Sequence, residues 1–215
     1  MRVVSNTAIT LDGRINTREG GFTMLGTARD HARMSRLRAE ADAVLVGGRT
    51  FRNWPHPSLP DEADRAALGE RRPWNVVVSR GLDFALDDGF VAEAGIRPLF
   101  LVPESARTRA AGFPVESEGW PGDGADIPVP WILGALERRG VQTLLVEAGG
   151  DLLFQFLAAG AIDEMFVTLT PKIAGGRAAS LADGEGFDLA AMPQLSLVAC
   201  EREGDELFLR YAVRS

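Results

Sequence analysis

Short apolar runs alternate along the chain with stretches of helical periodicity, and this alternation predicts an α/β fold. Runs bounded by glycine or proline predict strands over residues 3–9, 43–46, 75–79, 98–102, 141–146 and 164–170. Apolar positions at helical spacing predict helices over residues 27–41, 127–139 and 151–159. The order of these elements favours three layers, with a mostly parallel central sheet and helices on both faces.

The C-terminal part of the chain has a different pattern. Apolar runs over residues 195–200 and 206–213 meet across Glu203-Gly204-Asp205, which predicts an antiparallel hairpin. Two segments rich in turn-forming residues, 54–72 and 119–124, are predicted to be loops. Thr27, with Asp30 three residues later, predicts a variant capping box at the start of the first helix.

Length and composition favour a single domain over residues 1–215, because 46% of the residues are hydrophobic and can form a sizeable core. A net charge of −7 without blocks of like charge argues against nucleic acid as a partner. No apolar run approaches the ~20 residues that span a bilayer, and the N-terminus lacks a signal-peptide pattern, so a cytoplasmic protein is expected. Cys200, the only cysteine, lies in an apolar run, which favours a packed thiol.

Glycine follows the predicted strands at several places. Gly47-Gly48 ends one strand, and Gly149-Gly150 separates another from an amphipathic helix that begins near Asp151 and Leu152. Ligands of open α/β sheets bind beyond the carboxyl ends of the strands, and a helix N-terminus offers unpaired N–H groups to a phosphate. A glycine pair also simply ends strands in many proteins, and no G-x-G-x-x-G motif is present. These patterns indicate an α/β nucleotide-binding protein.

Several catalytic classes lack their residues. His31 and His56 are the only histidines, and neither lies in the setting of a zinc deaminase, so no metal site is expected. The chain has no G-x-S-x-G motif and no P-loop spacing, which removes the usual basis for a hydrolase or a kinase. A reductase needs fewer side chains, because its cofactor carries the hydride chemistry.

Seven short segments, in one order and spanning nearly the whole chain, carry a resemblance to a known family. They include Asp12-Gly13-Arg14 and Glu147-Ala148-Gly149-Gly150, and they cover residues 5–14, 37–39, 42–50, 145–150, 161–164, 170–176 and 183–187. Through them the chain resembles the RibD C-terminal family, the reductase domain of riboflavin biosynthesis. The resemblance implies a dihydrofolate-reductase-like fold.

The resemblance also implies an activity, namely NADPH-dependent reduction of 5-amino-6-(5-phosphoribosylamino)uracil, with hydride delivered to C1′ of the ring-opened ribose to give the ribityl group. The implied cofactor contacts are the backbone of Ala8, the turn at Gly47 and Gly48, Thr50, and the helix start at Gly149, Gly150, Asp151 and Leu152. The implied substrate contacts are Asn6, Arg38, Leu59 and Glu147. Asp12 and Glu147 are the candidate catalytic residues.

Some of these residues have structural interpretations as well. Asp12-Gly13 is a common turn pair, and Arg38 on a helix could face solvent. Glu147 directly follows an apolar strand, where a carboxylate needs a partner such as a ligand N–H group. The proton donor stays open between Asp12, Glu147 and bound water.

Ser79 and Arg80 end a further predicted strand and are therefore additional candidates for cofactor binding. A guanidinium matches the geometry of a phosphate. Arg80 is accordingly predicted to pair with the adenosine 2′-phosphate of NADPH.

The chain departs from the family pattern after Thr50. The family carries Asp-Pro-x-Leu-Thr-x-Arg, whose Leu and Arg meet the substrate and its phosphate, whereas here Pro57-Ser58-Leu59 is followed by Glu62 at the arginine position. A carboxylate there would repel a phosphate dianion. Either Arg52, Arg65 or another arginine compensates, or the substrate differs, for example by lacking the phosphate. Trp54 could stack on a planar ring or cover the edge of the core.

Three functions therefore compete. The first is the pyrimidine reductase, the second is an NADPH reductase of the same fold with a pterin, dihydrofolate-like or other heteroaromatic substrate, and the third is a nucleotide-binding module without turnover. No deaminase domain precedes the matching segments, which predicts a stand-alone reductase. The resemblance also implies a homodimer, with the apolar hairpin near residues 207–213 as a candidate contact.

Overall fold

The computed structural model describes residues 1–21, 24–86, 88–122, 124 and 126–214. The chain divides into two compact units, of which the first comprises Met1 and Ser35–Leu145 and the second comprises Arg2–Met34 and Val146–Ser215. The expectation of one domain over residues 1–215 stays a prediction.

The secondary structure follows the predicted alternation. Among the described residues the strands are β1 (Arg2–Ile9), β2 (Ala43–Gly47), β3 (Trp74–Val78), β4 (Arg97–Pro103), β5 (Glu116–Trp120), β6 (Thr143–Val146), β7 (Glu164–Leu169), β8 (Gln194–Glu203) and β9 (Glu206–Arg214). The α-helices are α1 (Ala28–Glu40), α2 (Gly48–Asn53), α3 (Glu62–Arg65), α4 (Asp88–Ala92), α5 (Arg107–Ala110), α6 (Val129–Glu137) and α7 (Gly150–Ala158).

The strands of the first unit follow the order β5-β4-β3-β2-β6. The pairs β2–β3, β3–β4 and β4–β5 are all parallel. Parallel strands of one sheet are joined by right-handed crossovers, so the helices between β2 and β5 lie on one face of these strands. Since α6 returns from β5 to β6 in the opposite direction along the order, it lies on the other face.

Aromatic side chains form the core of one face of the first unit. The rings of Phe51 and Phe90 have centroids 4.7 Å apart and meet edge to face, and the ring of Phe100 stacks on that of Phe90 at 6.4 Å. All three side chains are fully buried. Burial of this kind fixes α2 and α4 against β4.

The second unit contains the strands in the order β1-β7-β9-β8. β1 and β7 are parallel, with Ala8 opposite Thr168. β7 pairs with β9, and β9 with β8, in antiparallel fashion, and the β8–β9 register is irregular between Leu197 and Ala199. The predictions of an α/β fold, a mostly parallel sheet and a C-terminal antiparallel hairpin are thus confirmed.

Some local predictions are wrong. The segment 54–72, predicted to be a loop, contains α3, and the segment 119–124 begins inside β5. Thr27 and Asp30 do not form the predicted capping box, because the Thr27 hydroxyl donates to Glu206 at 2.6 Å and Asp30 accepts from the hydroxyl of Thr168. Cys200 is exposed on β8 rather than packed.

Among the described helices, none has the length and apolar character needed to cross a membrane.

Candidate functional site

In the first unit, the strand β2 runs directly into α2 through Gly47 and Gly48. Gly47 is extended, with φ −80°, and the start of α2 has no side-chain cap. A Cβ at Gly48 would lie 2.7 Å from the Oγ of Ser79, so only glycine permits this approach between the ends of β2 and β3. Gly48 and Ser79, both predicted to contact cofactor, therefore lie against each other at the ends of β2 and β3.

Ser79 organises the turn that follows β3. Its Oγ accepts a 3.0 Å hydrogen bond from the N–H of Leu82, and Leu82 adopts a positive φ of 52°. A positive φ is uncommon for a residue other than glycine, and such backbone strain is found at functional sites more often than elsewhere. The Ser79–Leu82 turn is thus a fixed element beside Gly48.

Arg80 lies in the same turn but points to solvent. Its Nη2 is 2.5 Å from Asp126 Oδ1, and both side chains are about two-thirds exposed, at 65% and 66%. An exposed ion pair of this kind contributes little stability, so Arg80 can exchange Asp126 for another anion.

The structure brings together Arg38 and Leu59, which were both predicted to contact substrate. The Arg38 Nη1 donates to the carbonyl oxygen of Leu59 at 3.1 Å. Arg38 is half-buried on α1 and Leu59 is buried, so the alternative of a solvated helix face does not describe Arg38.

Side chains from other elements hold the backbone of residues 58–61. Asn75 Oδ1 accepts from the N–H of Ser58 at 2.6 Å, and its Nδ2 donates to the Ser58 carbonyl at 3.4 Å. The Oγ of Ser35 accepts from the N–H of Asp61 at 2.9 Å. The segment that carries Leu59 is therefore preorganised. Sequence reasoning missed Asn75 and Ser35 in this role.

Two arginines were predicted as possible replacements for the missing phosphate ligand, and they lie in different places. Arg65 Nε donates to the carbonyl of Pro60 at 3.3 Å, next to Leu59. Arg52 Nε donates to the carbonyl of Asp83 at 2.8 Å. Only Arg65 of these two contacts the segment 58–61. The Trp54 ring is 47% exposed and packs edge to face on His56, so it does not seal the core.

In the second unit, Asp12 lies at the turn after β1 and is surrounded by donors. Its carboxylate accepts from Thr10 Oγ1 at 2.6 Å, from the N–H of Ala174 at 3.1 Å and from the N–H of Gly175 at 2.7 Å. These hydrogen bonds, that of Thr10 first, lower the pKa of Asp12 to about 2. A carboxyl group held ionised in this way is a poor proton donor at neutral pH, which favours the structural interpretation of Asp12.

The segment after Gly175 follows the turn of residues 10–15. Arg14 donates to the carbonyls of Ala178 at 2.8 Å and Gly176 at 3.1 Å. The backbone N–H of Ile15 donates to the carbonyl of Ala179 at 2.9 Å. Asp12 and Arg14 together fix the path of this segment.

The helix α7 begins beside the same segment. Gly149 is extended, with φ −69° and ψ 168°, and no side chain caps the helix. A Cβ at Gly150 would lie 2.5 Å from the carbonyl oxygen of Ser180 and 2.8 Å from Asp183 Oδ2, so this position also requires glycine. Asp151 is an acidic residue in the first turn, and Leu152 is buried. The N–H groups of this turn have no side-chain cap, but carboxylates lie close to them.

Two buried oxygens in the second unit have no hydrogen-bond partner among the described residues, namely Asn6 Oδ1 on β1 and Thr170 Oγ1 after β7. Asn6 is 8% exposed and Thr170 is 1% exposed. Such orphaned acceptors are rare in folded proteins and call for an explanation such as a ligand. Sequence reasoning named Asn6 but not Thr170.

Glu147 directly follows β6 and is half-buried, as expected for a residue at the end of an apolar strand. Ala8, whose backbone was predicted to contact cofactor, lies on β1 two residues after Asn6. Because side chains alternate along a strand, Ala8 and Asn6 face the same side of β1.

Comparison with known proteins gives a consistent result. The profile of the RibD C-terminal domain matches residues 1–209. The chain is 30% identical over 99% of its length, and 98% of the relative's, to the 2,5-diamino-6-ribosylamino-4(3H)-pyrimidinone 5′-phosphate reductase of Methanothermobacter thermautotrophicus. It is 27% identical to the riboflavin biosynthesis protein RibD of Synechocystis, over 95% of the chain but 55% of that protein.

A solved structure agrees. The deaminase/5-amino-6-(5-phosphoribosylamino)uracil reductase of Thermotoga maritima superposes with a TM-score of 0.78 at 25% identity, covering 99% of this chain and 56% of that one. The chain thus spans about half the length of these two relatives. The α/β fold and the riboflavin-type reductase predicted from the sequence are confirmed. The chain belongs to the RibD C-terminal domain family.

Proposed function

We propose that the protein reduces a ribosylaminopyrimidine 5′-phosphate with NADPH, converting the ribosyl group to ribityl. The observation that carries this proposal is the orphaned Oδ1 of Asn6, a buried acceptor on β1 at a position where the family resemblance implies a substrate contact. A ligand donor that binds this oxygen would remove the cost of burying it unpaired.

The family of riboflavin reductases implies a nicotinamide cofactor, and NADPH is our proposal within that class. In the first unit, Gly47, Gly48, Thr50 and Ser79 would contact it, with Arg80 at the 2′-phosphate. In the second unit, the Ala8 backbone and the uncapped N–H groups at Gly149, Gly150, Asp151 and Leu152 would contact it. The carboxylates of Asp151 and Asp183 lie close to this helix start and would repel a pyrophosphate, so the attraction there would come from the backbone N–H groups.

The substrate is a pyrimidine whose base differs between relatives. The relative that matches over nearly its full length is named for the 2,5-diaminopyrimidinone, whereas a two-activity relative is named for the uracil. We therefore propose the 2,5-diaminopyrimidinone phosphate as the preferred substrate and the uracil as the alternative. Asn6 and Glu147 in the second unit, and Arg38 and Leu59 in the first, are the proposed contacts.

The proposed reaction is the reduction of a carbon–nitrogen double bond. The ring-opened ribosylamine is an imine, its C1′ accepts a hydride, and its nitrogen accepts a proton to give a secondary amine. Bound reduced nicotinamide would supply the hydride. Because the pKa of Asp12 is lowered to about 2, we assign Asp12 to positioning and leave Glu147 or a water held by it as the proton donor.

The test is NADPH oxidation, followed by absorbance, with four compounds: the diaminopyrimidinone phosphate, the uracil phosphate, the dephosphorylated uracil compound and dihydrofolate. Asn6→Ala should lower kcat/KM for the pyrimidine on the order of tenfold, the effect of one lost hydrogen bond to a ligand. Ser5→Ala, a neighbouring change that faces the other side of β1, is the matched control and should leave kcat/KM near that of the wild type.

The outcomes separate the candidate functions. If NADPH were oxidised only in the presence of dihydrofolate, the substrate would be pterin-like and not the proposed pyrimidine. Tight NADPH binding without oxidation of any compound would leave a nucleotide-binding module. Turnover of a pyrimidine with an unaffected Asn6→Ala variant would keep the activity but remove the role of Asn6.

We also propose a homodimer formed through the C-terminal hairpin. β9 lies between β7 and β8, so the free edge is on β8, where Leu195, Leu197 and Val198 are 41%, 56% and 52% exposed. Exposed apolar edge strands favour pairing with another chain. Light scattering should give a dimer for the wild type and a monomer for Leu197→Asp. Leu189→Asp, at a position 86% exposed outside the hairpin, should stay dimeric. A wild-type monomer would contradict the proposal.

A further inference from the structure

A concave region opens in the first unit at the amino ends of β2, β3 and β4, a cavity of about 260 Å³. Its lining consists of Ala41, Asp42, Glu70, Arg71, Arg72, Pro73, Trp74, Arg97, Arg139, Gly140 and Val141. The glycine-ended loops proposed to bind cofactor follow the carboxyl ends of the strands. Since β3 has five residues, its two ends lie about 13 Å apart, and the cavity is separate from the loop at Ser79.

The lining is basic in an acidic protein. It contains four arginines against Asp42 and Glu70, an excess of two positive charges in a chain whose net charge is −7. Arg71 Nη1 is 3.9 Å from Asp42 Oδ1, and its Nη2 donates to a backbone carbonyl of α1. Arg71 is thus held in place and its charge is matched by Asp42.

Trp74 holds two further guanidinium groups close to one ring. The Cζ of Arg97 is 5.1 Å from the ring centroid, and that of Arg139 is 5.6 Å from it. Arg139 also pairs with Glu116 at 2.7 Å and Glu118 at 2.5 Å, so its charge is neutralised by residues outside the cavity. Arg97 makes no ion pair within the described part of the chain, and the ring fixes its position without neutralising it.

Arg72 is the fourth arginine. It is exposed and, in the portion of the chain that is described, has no ion pair either. Glu70 reduces the local charge but is itself exposed. The cavity therefore presents two unmatched guanidinium groups, one held on an aromatic ring and one on the flanking segment.

We propose that this cavity binds the phosphate monoester of a small metabolite, with Arg97 and Arg72 as its ligands. A guanidinium donates two parallel N–H groups to phosphate oxygens, and two guanidinium groups match the two negative charges of a phosphate monoester. The volume of about 260 Å³ lies just below the ~300–1,000 Å³ that is usual for ligand sites, so the ligand is small. The site is distinct from the proposed cofactor and substrate contacts and does not depend on them.

The test is calorimetric titration of the full chain with inorganic phosphate and with glycerol 3-phosphate at constant ionic strength. Arg97→Gln and Arg72→Gln should each weaken binding of the monoester on the order of tenfold, as expected for one charge-assisted hydrogen-bonded pair. Arg107→Gln is the control, because Arg107 is an exposed arginine on α5, away from the cavity, with its Nη1 3.5 Å from Glu104. This variant should bind the monoester with unchanged affinity. Tighter binding of the monoester than of inorganic phosphate would identify a metabolite rather than the free ion as the ligand.

A second measurement locates the bound anion. The indole N–H signal of Trp74, assigned by its absence in Trp74→Phe, should shift on titration. Absence of binding by wild-type protein would overturn the proposal. Equal weakening in Arg107→Gln would also overturn it, as would binding that is lost in Arg80→Gln but retained in Arg97→Gln, since the anion would then lie at the cofactor loop.

Discussion

The carboxylate of Asp12 accepts a 2.7 Å hydrogen bond from the backbone N–H of Gly175, a residue 163 positions further along the chain. The Thr10 hydroxyl and the N–H of Ala174 donate to its other oxygen. The turn after β1 is thereby tied to the segment that follows β7. A residue predicted from sequence as a candidate acid is, in the fold, an ionised tether.

Asp12 makes stability depend on pH. The pKa of Asp12 is 3.8 in the unfolded chain and about 2 in the folded protein. Its ionised carboxylate therefore stabilises the fold fully at pH values above 3.8. This stabilisation is lost as the pH falls from about 4 to about 2. We expect Asp12→Asn to lower Tm at neutral pH. The Tm difference from the wild type should shrink across that window, which circular dichroism at several pH values would measure.

Asp205→Asn is a matched control for this change. Asp205 lies in the turn between β8 and β9, with a side chain 82% exposed and 3.6 Å from Arg202. The control should change Tm less than Asp12→Asn does at neutral pH. A Tm difference for Asp12→Asn that stays constant with pH would contradict the tether. If Asp12→Asn lost activity while its Tm stayed unchanged, Asp12 would be a catalytic residue.

The two helix-initiating glycines should not tolerate a side chain. A Cβ at Gly150 would meet the Ser180 carbonyl at 2.5 Å, and one at Gly48 would meet Ser79 Oγ at 2.7 Å. Overpacking of this kind costs roughly 1–3 kcal/mol, so Gly150→Ala and Gly48→Ala should lower the free energy of unfolding by that amount. Denaturant titration measures it.

Gly134 provides the opposite case on α6. The nearest atom to a Cβ there is Arg138 Nη1 at 3.5 Å, an ordinary contact. Gly134→Ala should raise the free energy of unfolding by roughly 0.5–1 kcal/mol, because alanine is the better helix former. If all three alanine variants shifted stability in the same direction, the close approaches would not be the cause.

Arg80 and Asp126 form a matched pair for cofactor preference. If Arg80 binds the 2′-phosphate, Arg80→Gln should reduce the preference for NADPH over NADH about tenfold. Asp126→Asn removes the competing carboxylate 2.5 Å from Arg80 and should increase that preference. Ratios of kcat/KM for the two cofactors measure both effects. The assignment of Arg80 fails if both variants keep the wild-type ratio.

Arg65 and Arg52 test how the chain compensates for Glu62. Arg65 contacts the carbonyl of Pro60, whereas Arg52 contacts that of Asp83. We expect Arg65→Gln to raise KM for the phosphorylated pyrimidine about tenfold and to leave KM for its dephosphorylated form unchanged. Arg52→Gln should change neither value. Equal KM increases for both substrates in Arg65→Gln would indicate a disturbed loop rather than a lost phosphate contact.

Local sequence signals predicted the buried strands well, because strands such as β2 and β6 are apolar on both faces, and Val44, Leu45, Leu144 and Leu145 are all fully buried. β5 was missed since its residues are largely polar. It is paired with β4, and Glu116 and Glu118 bind Arg139 from beyond α6. Partners that distant along the chain leave no local pattern.

In the candidate site, too, local sequence patterns predicted some features, whereas contacts between residues distant along the chain could not be predicted. The cofactor contact of Gly48, predicted from glycine after a strand, stays a prediction, and the structure adds that Ser79 leaves no room there for a Cβ. The sequence could not reveal that the Thr27 hydroxyl binds Glu206, 179 residues away, or that Asn75 holds Ser58. The orphaned oxygen of Thr170 depends on burial by the fold and has no counterpart in residue type or spacing.

The side chains of Ser35, Arg38, Asn75 and Arg65, all outside the segment, form hydrogen bonds with backbone groups of residues 58–61. Its path is consequently held by residues outside the segment together with the buried side chain of Leu59. Half-buried positions such as Pro57 and Ser58 are therefore open to randomisation, and a library built there would alter ligand preference while the scaffold keeps its shape.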